Sequence, residues 1–264
     1  MSRPLFQLNP RLKCCASLLR PGKRMADIGT DHAYLPIWAI RQGLTSYAVA
    51  SDINEGPLEA ARRNMIRYHT SDSMELRLSD GLNAFSPGDA DDIVIAGMGG
   101  ELIAKILTGA PWLKVPEKRL ILQPMTRAPE LRTFLASEGY EISREIAVED
   151  SGRVYAVMLA GYTGKAVKTG RLYPYIGMVT GETAEGRRYL ENCAALLRKR
   201  AQGLRLEGKE DDARELFSAA EEISGLAAAE RIKKVFPNIK IVAVTSLVDP
   251  EVLSKAKNGA ADSL

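Results

Sequence analysis

From Arg24 to about Tyr162 short apolar runs alternate with stretches of helical periodicity, and this rhythm restricts the fold more than any other feature of the chain. Strands joined through helices are covered on both faces, so they read as near-continuous apolar segments rather than as alternating ones. Five segments fit that description: Arg24–Ile28, Tyr47–Asp52, Glu75–Leu78, Asp92–Ala96 and Arg119–Gln123. Helices fit between them over Leu35–Gln42, Pro57–Tyr68, Gly100–Thr108 and Ala128–Glu138. Pro57 suits a first helical turn, where its missing N–H costs nothing. Two further strands, Tyr140–Val148 and Arg153–Gly161, flank "EDSGR", whose turn chemistry predicts an antiparallel hairpin. The expectation is an α/β fold built on a seven-stranded, mostly parallel sheet.

The character changes after Gly161. "YTGKAVKTGRLYPYIG" is punctuated by glycine and proline and reads as a connector, so residues 1–163 and 164–264 are expected to form separate domains. Glu182–Leu206 and Glu210–Val235 read as two long helices joined near "EGKED". In the second, Leu216, Ala220, Ile223, Ala227 and Glu230 recur at helical spacing and are apolar until the last, which predicts an antiparallel helical hairpin. The tail from about residue 238 yields no assignable element.

Composition excludes several classes. With 45% hydrophobic and 26% charged residues, this is an ordinary globular chain of 264 residues. No apolar run approaches the roughly 20 residues of a membrane-spanning helix. The start, "MSRPLFQLNPRLKC", lacks the apolar centre of a signal peptide, so a cytoplasmic protein without a membrane partner is expected. Cys14, Cys15 and Cys193 have no metal-ligand spacing, and His32 and His69 are the only histidines, so no metal is expected. The oligomeric state is left open, with a monomer as the default.

The net charge is only +3, but it is unevenly spread. No acidic residue precedes Asp27, whereas Arg3, Arg11, Lys13, Arg20, Lys23 and Arg24 are all basic. Such an arm attracts a polyanion through counterion release, or is simply the solvated face of an N-terminal helix.

In an open α/β sheet the ligand sits beyond the carboxyl ends of the strands, at the switch point beside the first. Four strand ends carry suitable groups. The first runs "RMADIGTDHAYLPI": Asp27, Ile28 and Gly29, then a row of polar side chains. A dinucleotide fold places three glycines there to seat a pyrophosphate on backbone N–H groups. Only Gly29 is present, which favours a small ligand without phosphates. The second strand ends in Asp52 and Ile53. This acid lies about 20 residues past the glycine, where a ribose diol is held. Asn54 is expected to cap the following helix, leaving Asp52 free. Asp80-Gly81 follows the third strand, able to meet an exocyclic amine or form a plain turn. Gly97, Met98, Gly99 and Gly100 follow the fourth and admit close approach to the backbone.

Taken together, "DIGTDHAYLPI", "ASDINEGPLEAARRN", "LSDGL", "DIVIAGMGGELI" and "LILQP" resemble the bacterial TrmK family of tRNA (adenine-22-N1)-methyltransferases. The resemblance covers about Leu8 to Gly177, and the two long helices in general character. It implies a class I, Rossmann-like methyltransferase domain that binds S-adenosylmethionine, followed by a coiled-coil-like helical domain. By the same resemblance Asp27 and Gly29 shape the cofactor loop, Asp52 takes the ribose hydroxyls, Asp80-Gly81 contacts the adenine, and Gly97–Gly100 lies at the mouth. Asp31, His32 and Tyr34 then face the substrate.

Unpaired adenine N1 is already nucleophilic, so the reaction asks mainly for a held, in-line approach. The product ring is cationic, and Asp31 is assigned to stabilise that charge and accept from the N6 amine. Tyr34 is assigned to stack on the base. His32 orients the base or contacts phosphate, or else holds the loop by a backbone hydrogen bond. Enzymes acting on exocyclic amines resemble an Asn/Asp-Pro-Pro-aromatic pattern after the fourth strand; Ala96-Gly97-Met98-Gly99-Gly100 departs from it and suits a ring nitrogen. Phosphates of tRNA are assigned to Arg11, Lys13, Arg20 and Lys23 in the arm, and to Arg187, Arg188, Arg198, Lys199 and Arg200 in the first long helix. The acids of the second helix could instead neutralise that helix in pairs. Competing readings are a methyltransferase for a small molecule or protein, a nicotinamide-dependent oxidoreductase, and a non-catalytic RNA-binding module.

Overall fold

The computed structural model describes residues 5–235. Arg3 and the tail beyond Val235 lie outside them. Within them the chain divides into two compact units at Val167/Lys168, each considered by itself.

The first unit is a seven-stranded sheet with helices on both faces. Its strands are β1 (Lys23–Ile28), β2 (Thr45–Asp52), β3 (Met74–Leu78), β4 (Asp92–Gly99), β5 (Arg119–Thr126), β6 (Tyr140–Asp150) and β7 (Arg153–Tyr162). Their order across the sheet is β3-β2-β1-β4-β5-β7-β6, and only β7 runs against the others. The chain steps outward from β1 to β3, then returns to the other side of β1 at β4. The switch point therefore falls between β1 and β4, where a ligand crevice opens at the carboxyl edge. The "EDSGR" turn joins β6 to β7 as expected, with Ser151 and Gly152 both at positive φ.

Five helices cover this sheet: α1 (Pro10–Ala16), α2 (Tyr34–Arg41), α3 (Glu55–Arg67), α4 (Gly100–Thr108) and α5 (Ala128–Ser137). Helix α1 starts at a capped turn, in which Asn9 Oδ1 accepts the Leu12 N–H at 2.9 Å and Pro10 occupies the first helical position. Cys15 and Ala16 on its apolar side, with Leu18 and Leu19 just after it, pack with Met25, Val94, Ile121 and Val157 of the central strands. Burial pushes the Cys15 thiol pKa up, as suits an unreactive core residue.

The second unit contains a short helix, α6 (Tyr173–Ile176), and the two long ones, α7 (Ala184–Leu206) and α8 (Glu210–Val235). Thr183 caps α7 by accepting from the Gly186 N–H. The long helices pair as an antiparallel hairpin around Leu190, Ala194, Leu197, Ala219, Ala220, Ile223 and Ala227, with Leu172 and Ile176 at one end of that core. Alanine at the contact positions lets two helices of this length approach closely while their outer faces stay charged. Among the described residues no helix is long and apolar enough to cross a membrane.

Candidate active site

The β1–α2 turn is held in an unusual shape. Gly29, Asp31 and Ala33 all take positive φ, of 74°, 35° and 56°. For the two non-glycine residues this stores strain of about 1 kcal/mol each. Several bonds hold it in place. The N–H groups of Gly29 and Thr30 both donate to Ser51 O at 2.8 Å, and Ala33 N donates to Thr30 O. Thr30 Oγ1 donates to Asp27 Oδ2 at 2.5 Å. Asn64, buried on α3, donates through Nδ2 to the carbonyl of His32 at 3.0 Å. With the backbone so fixed, the Asp31 carboxylate stands out to solvent, its side chain 78% exposed.

Asp27 is buried at the end of β1. Burial pushes its carboxyl up to about 6; the Thr30 hydroxyl opposes that rise and the charge of Asp52 adds to it. Asp52, half-buried on the neighbouring strand, accepts the Asn54 N–H through Oδ1 at 2.9 Å. The expectation for Asn54 is corrected here: it occupies the cap position of α3 but its side chain makes no capping bond, so Asp52 takes part in ordering the turn. Its second oxygen carries no bond within the described residues. Ile53, 60% exposed, extends past the edge beside it. Asp80 is exposed at the end of β3, while Gly81 packs against Ile106 of α4 at a φ of 57°.

The fourth strand does not stop at Ala96. It continues through Gly97, Met98 and Gly99, paired irregularly with β5: Ala96 faces Gln123, Met98 faces Pro124, and Gly97 is left over as a bulge with φ 83°. Pro124 explains the irregularity, because it has no N–H to give the ladder. Met98 then reaches over β1. A methyl group added at Gly29 would lie 2.1 Å from Met98 Cε, the mobile end of that side chain, and the φ of 74° is what favours glycine there.

The aromatic expectation changes most. Tyr34, 41% exposed, stacks on His32 with ring centres 5.4 Å apart and an interplanar angle of 28°, while Phe6 meets it edge-on at 4.9 Å. Phe6 also contacts Tyr68. Tyr34 is thus one layer of a stack that ties the N-terminal segment to the turn. His32 Nε2 lies 3.5 Å from Asp31 Oδ1.

The basic residues part company. Arg11 Nε donates to Asp150 at 2.6 Å and its Nη1 to Gln123 at 2.7 Å. Arg20 Nε donates to the buried Asp92 at 2.7 Å, and its Nη2 to the carbonyls of Asp91 and Glu117. Both guanidiniums are committed inside the first unit, which redirects the expectation that they meet phosphates. Lys13 and Lys23 are exposed. In the second unit, Arg187 donates to the carbonyls of Gly181 and Glu182, and Arg198 to Glu221 and Ser224 of α8. Arg188, Lys199 and Arg200 are exposed on α7.

Thus the carboxyl edge brings together Asp27, Ile28, Gly29, Asp31, His32 and Tyr34 on β1 and its turn, Asp52 and Ile53 on β2, Asp80 and Gly81 on β3, and Gly97, Met98 and Gly99 on β4. Thr30, Asn64 and Gln123 were not singled out from the sequence. Thr30 holds the Asp27 carboxylate, and Asn64 and Gln123 hold backbone of His32 and Gly97, through side-chain bonds that strand and helix patterns do not display. Among the described residues no group of three or more His, Cys, Asp or Glu is placed to hold a metal ion.

Residues 8–158 match the family model described as a methyltransferase domain. Over 174 residues the chain is 38% identical to the Bacillus subtilis tRNA (adenine(22)-N(1))-methyltransferase, spanning 63% of this chain and 73% of that protein. The chain belongs to the TrmK family. The crystal structure of B. subtilis TrmK superposes with a TM-score of 0.75 at 28% identity, covering 84% of this chain and all of that one. A Streptococcus pneumoniae protein solved in complex with S-adenosyl-L-methionine has a TM-score of 0.69 at 30% identity, covering 81% of this chain and 98% of that one. Family and fold agree with the strand order, and the coverage extends beyond the first unit in both structures.

Proposed function

We propose that this protein is an S-adenosylmethionine-dependent tRNA methyltransferase acting on a ring nitrogen of adenine, N1 of adenine-22 by the likeness to its B. subtilis relative. The observation that carries the reading is the row of four adjacent strand ends around the switch point, in the order Asp80-Gly81, Asp52-Ile53, Asp27–Gly29, Gly97–Met98. The residues suit that cofactor. A single close-approach glycine and no phosphate-binding glycine loop match a phosphate-free ligand. Asp52 keeps one oxygen for the ribose hydroxyls, Ile53 offers an exposed apolar face for a purine, and Asp80 an acceptor for its amine. When bound, the group supplies an electrophilic methyl on a positively charged sulfur.

The chain's own task is to seat an unpaired adenine at the rim. Asp31 carries negative charge beside a ring that becomes cationic, and its strained backbone keeps that carboxylate outward without reorganisation. His32 and Tyr34 form the adjoining aromatic wall, with Tyr34 presenting its exposed edge. Lys13, Lys23, Lys199 and Arg200 are the cations available to tRNA phosphates, giving affinity rather than base choice. A division of labour between the two units, cofactor in the first and RNA grip shared with the second, follows from that distribution. A tRNA substrate accords with a cytoplasmic protein.

The test is mass spectrometry of nucleosides from tRNA incubated with the protein and labelled cofactor. N1-methyladenosine is the expected product. N6-methyladenosine would overturn the ring-nitrogen assignment, and label in small metabolites but not tRNA would overturn the substrate.

A further inference from the structure

The Gly97 bulge is anchored by one buried side chain. Gln123 is fully buried, and its Oε1 accepts from the Gly97 N–H at 3.1 Å and from Arg11 Nη1 at 2.7 Å. Its Nε2 donates to the carbonyl of Pro124 at 2.9 Å. Arg11 is fixed in turn by Asp150 at 2.6 Å, by Met125 Sδ at 3.2 Å, and by the Tyr155 ring, 5.4 Å from its guanidinium carbon. Gly97 falls outside the register with β5, and its N–H is taken up by the Gln123 side chain. Gln123 therefore replaces a backbone acceptor with a side-chain one. The guanidinium polarises the amide oxygen it shares with Gly97, which strengthens the hold on that N–H.

We propose that Gln123, oriented by Arg11, is a positioning residue for methyl transfer: it sets the Gly97 bulge and thereby the Met98 side chain that overhangs Gly29. This rests on the methyltransferase reading. A rim built of Gly97, Gly99 and Gly100 has little conformational preference of its own, so its shape comes from this anchor. The residues assigned to ribose and adenine, Asp52 and Asp80, sit on β2 and at the end of β3, away from β5. Loss of the anchor should therefore spare cofactor binding and slow the chemical step, where small displacements carry large rate effects. Arg11, basic by sequence and a natural candidate for RNA, serves here from inside the protein.

The experiment uses the full chain and measures single-turnover methylation of tRNA, with cofactor and tRNA dissociation constants determined separately. Gln123→Leu keeps the volume and removes the acceptor. It is expected to slow the methylation step about 10–100-fold, with both dissociation constants within about threefold of wild type. Arg11→Lys keeps the positive charge but cannot fork between Asp150 and Gln123, and should slow the step about 3–10-fold with tRNA affinity unchanged. A Gln123→Leu rate within twofold of wild type, or a loss carried by either dissociation constant, overturns the proposal. Should Gln123→Leu fail to fold, Arg11→Lys decides by the same criteria. Wild-type protein that transfers no methyl to tRNA would remove the underlying reading and the proposal together. Active wild type with an unimpaired Gln123→Leu removes the proposal alone.

Discussion

The N-terminal arm and helix α7 both carry several arginines and lysines, and by charge alone they are equivalent ligands for a polyanion. Their environments differ. In the arm, Arg11 reaches the carboxyl edge of the sheet through Asp150 and Gln123, and Arg20 reaches the amino edge through Asp92. The two arginines pin α1 and the segment after it along the length of the central strands. On α7 the packing side is taken by Leu190, Ala194 and Leu197, and Lys199 and Arg200 stay in solvent. A helix laid on a sheet can turn its cations inward at either end of the strands, where strand-terminal acids wait. A two-helix hairpin has no such acids in its core, so its cations remain outside or pair across the rim. Charge in a sequence thus measures availability only after the partner element is known.

The largest expected effect comes from removing an internal cation. Asp92 is 1% exposed and accepts from both the backbone N–H and the guanidinium of Arg20. Arg20→Ala leaves that carboxylate buried with its charge uncompensated, at a cost of about 3–4 kcal/mol. A fall of about 5–15 °C in Tm by thermal unfolding is expected, with tRNA affinity at permissive temperature nearly unchanged. If affinity fell while Tm held, the arm and α7 would be alike after all.

A buried charge without a cation should show the opposite response. The Asp27 carboxyl, pushed up to about 6 chiefly by burial, has no counter-ion among the described residues and only the Thr30 hydroxyl to ease it. Because its pKa is raised on folding, the neutral form stabilises the protein fully below about 4, the ordinary carboxylate value, and that contribution fades as pH rises through 6. Asp27→Asn keeps an acceptor for Thr30 and fixes the neutral state. The variant should therefore exceed wild type by about 2–3 kcal/mol at pH 7.5, with the gap closing towards pH 4. Denaturant unfolding at both pH values decides it; a gap independent of pH would show that burial does not govern this acid.

The same contrast separates what could be read in the sequence from what could not. The seven strands and both long helices were readable because the strands are short apolar runs and the helices carry a helical stripe, such as Leu216, Ala220, Ile223 and Ala227. The end of β4 was not: glycines at 97, 99 and 100 look like a loop, and only Pro124 of β5, facing Met98, shows why the strand continues with a bulge. Asp27, Gly29, Asp52 and Asp80 could be grouped from the sequence because a parallel sheet places its strand ends together. Thr30, Asn64 and Gln123 were missed because each works through side-chain bonds, Thr30 to Asp27, Asn64 to the His32 carbonyl and Gln123 to Gly97 and Arg11, which leave no periodicity in the sequence. Arg11 and Arg20 were misplaced for a related reason, since Asp150 and Asp92 are 139 and 72 positions away.

The smallest effects belong to α7, and they test the other half of the comparison. Lys199→Ala and Arg200→Ala should each weaken tRNA binding about two- to fivefold near 0.1 M salt and reduce the slope of log K against log salt by about 1. Neither should move Tm, because both side chains stand in solvent. Arg198 supplies the internal control. It donates to Glu221 at 3.0 Å and to Ser224 at 2.7 Å, so its charge is already shared across the hairpin. Arg198→Ala should change tRNA affinity less than either neighbour and cost the hairpin no more than about 0.5 kcal/mol, the scale of an exposed ion pair. Equal losses at all three positions would mean that the net field of the helix, rather than the accessibility of particular cations, holds the RNA.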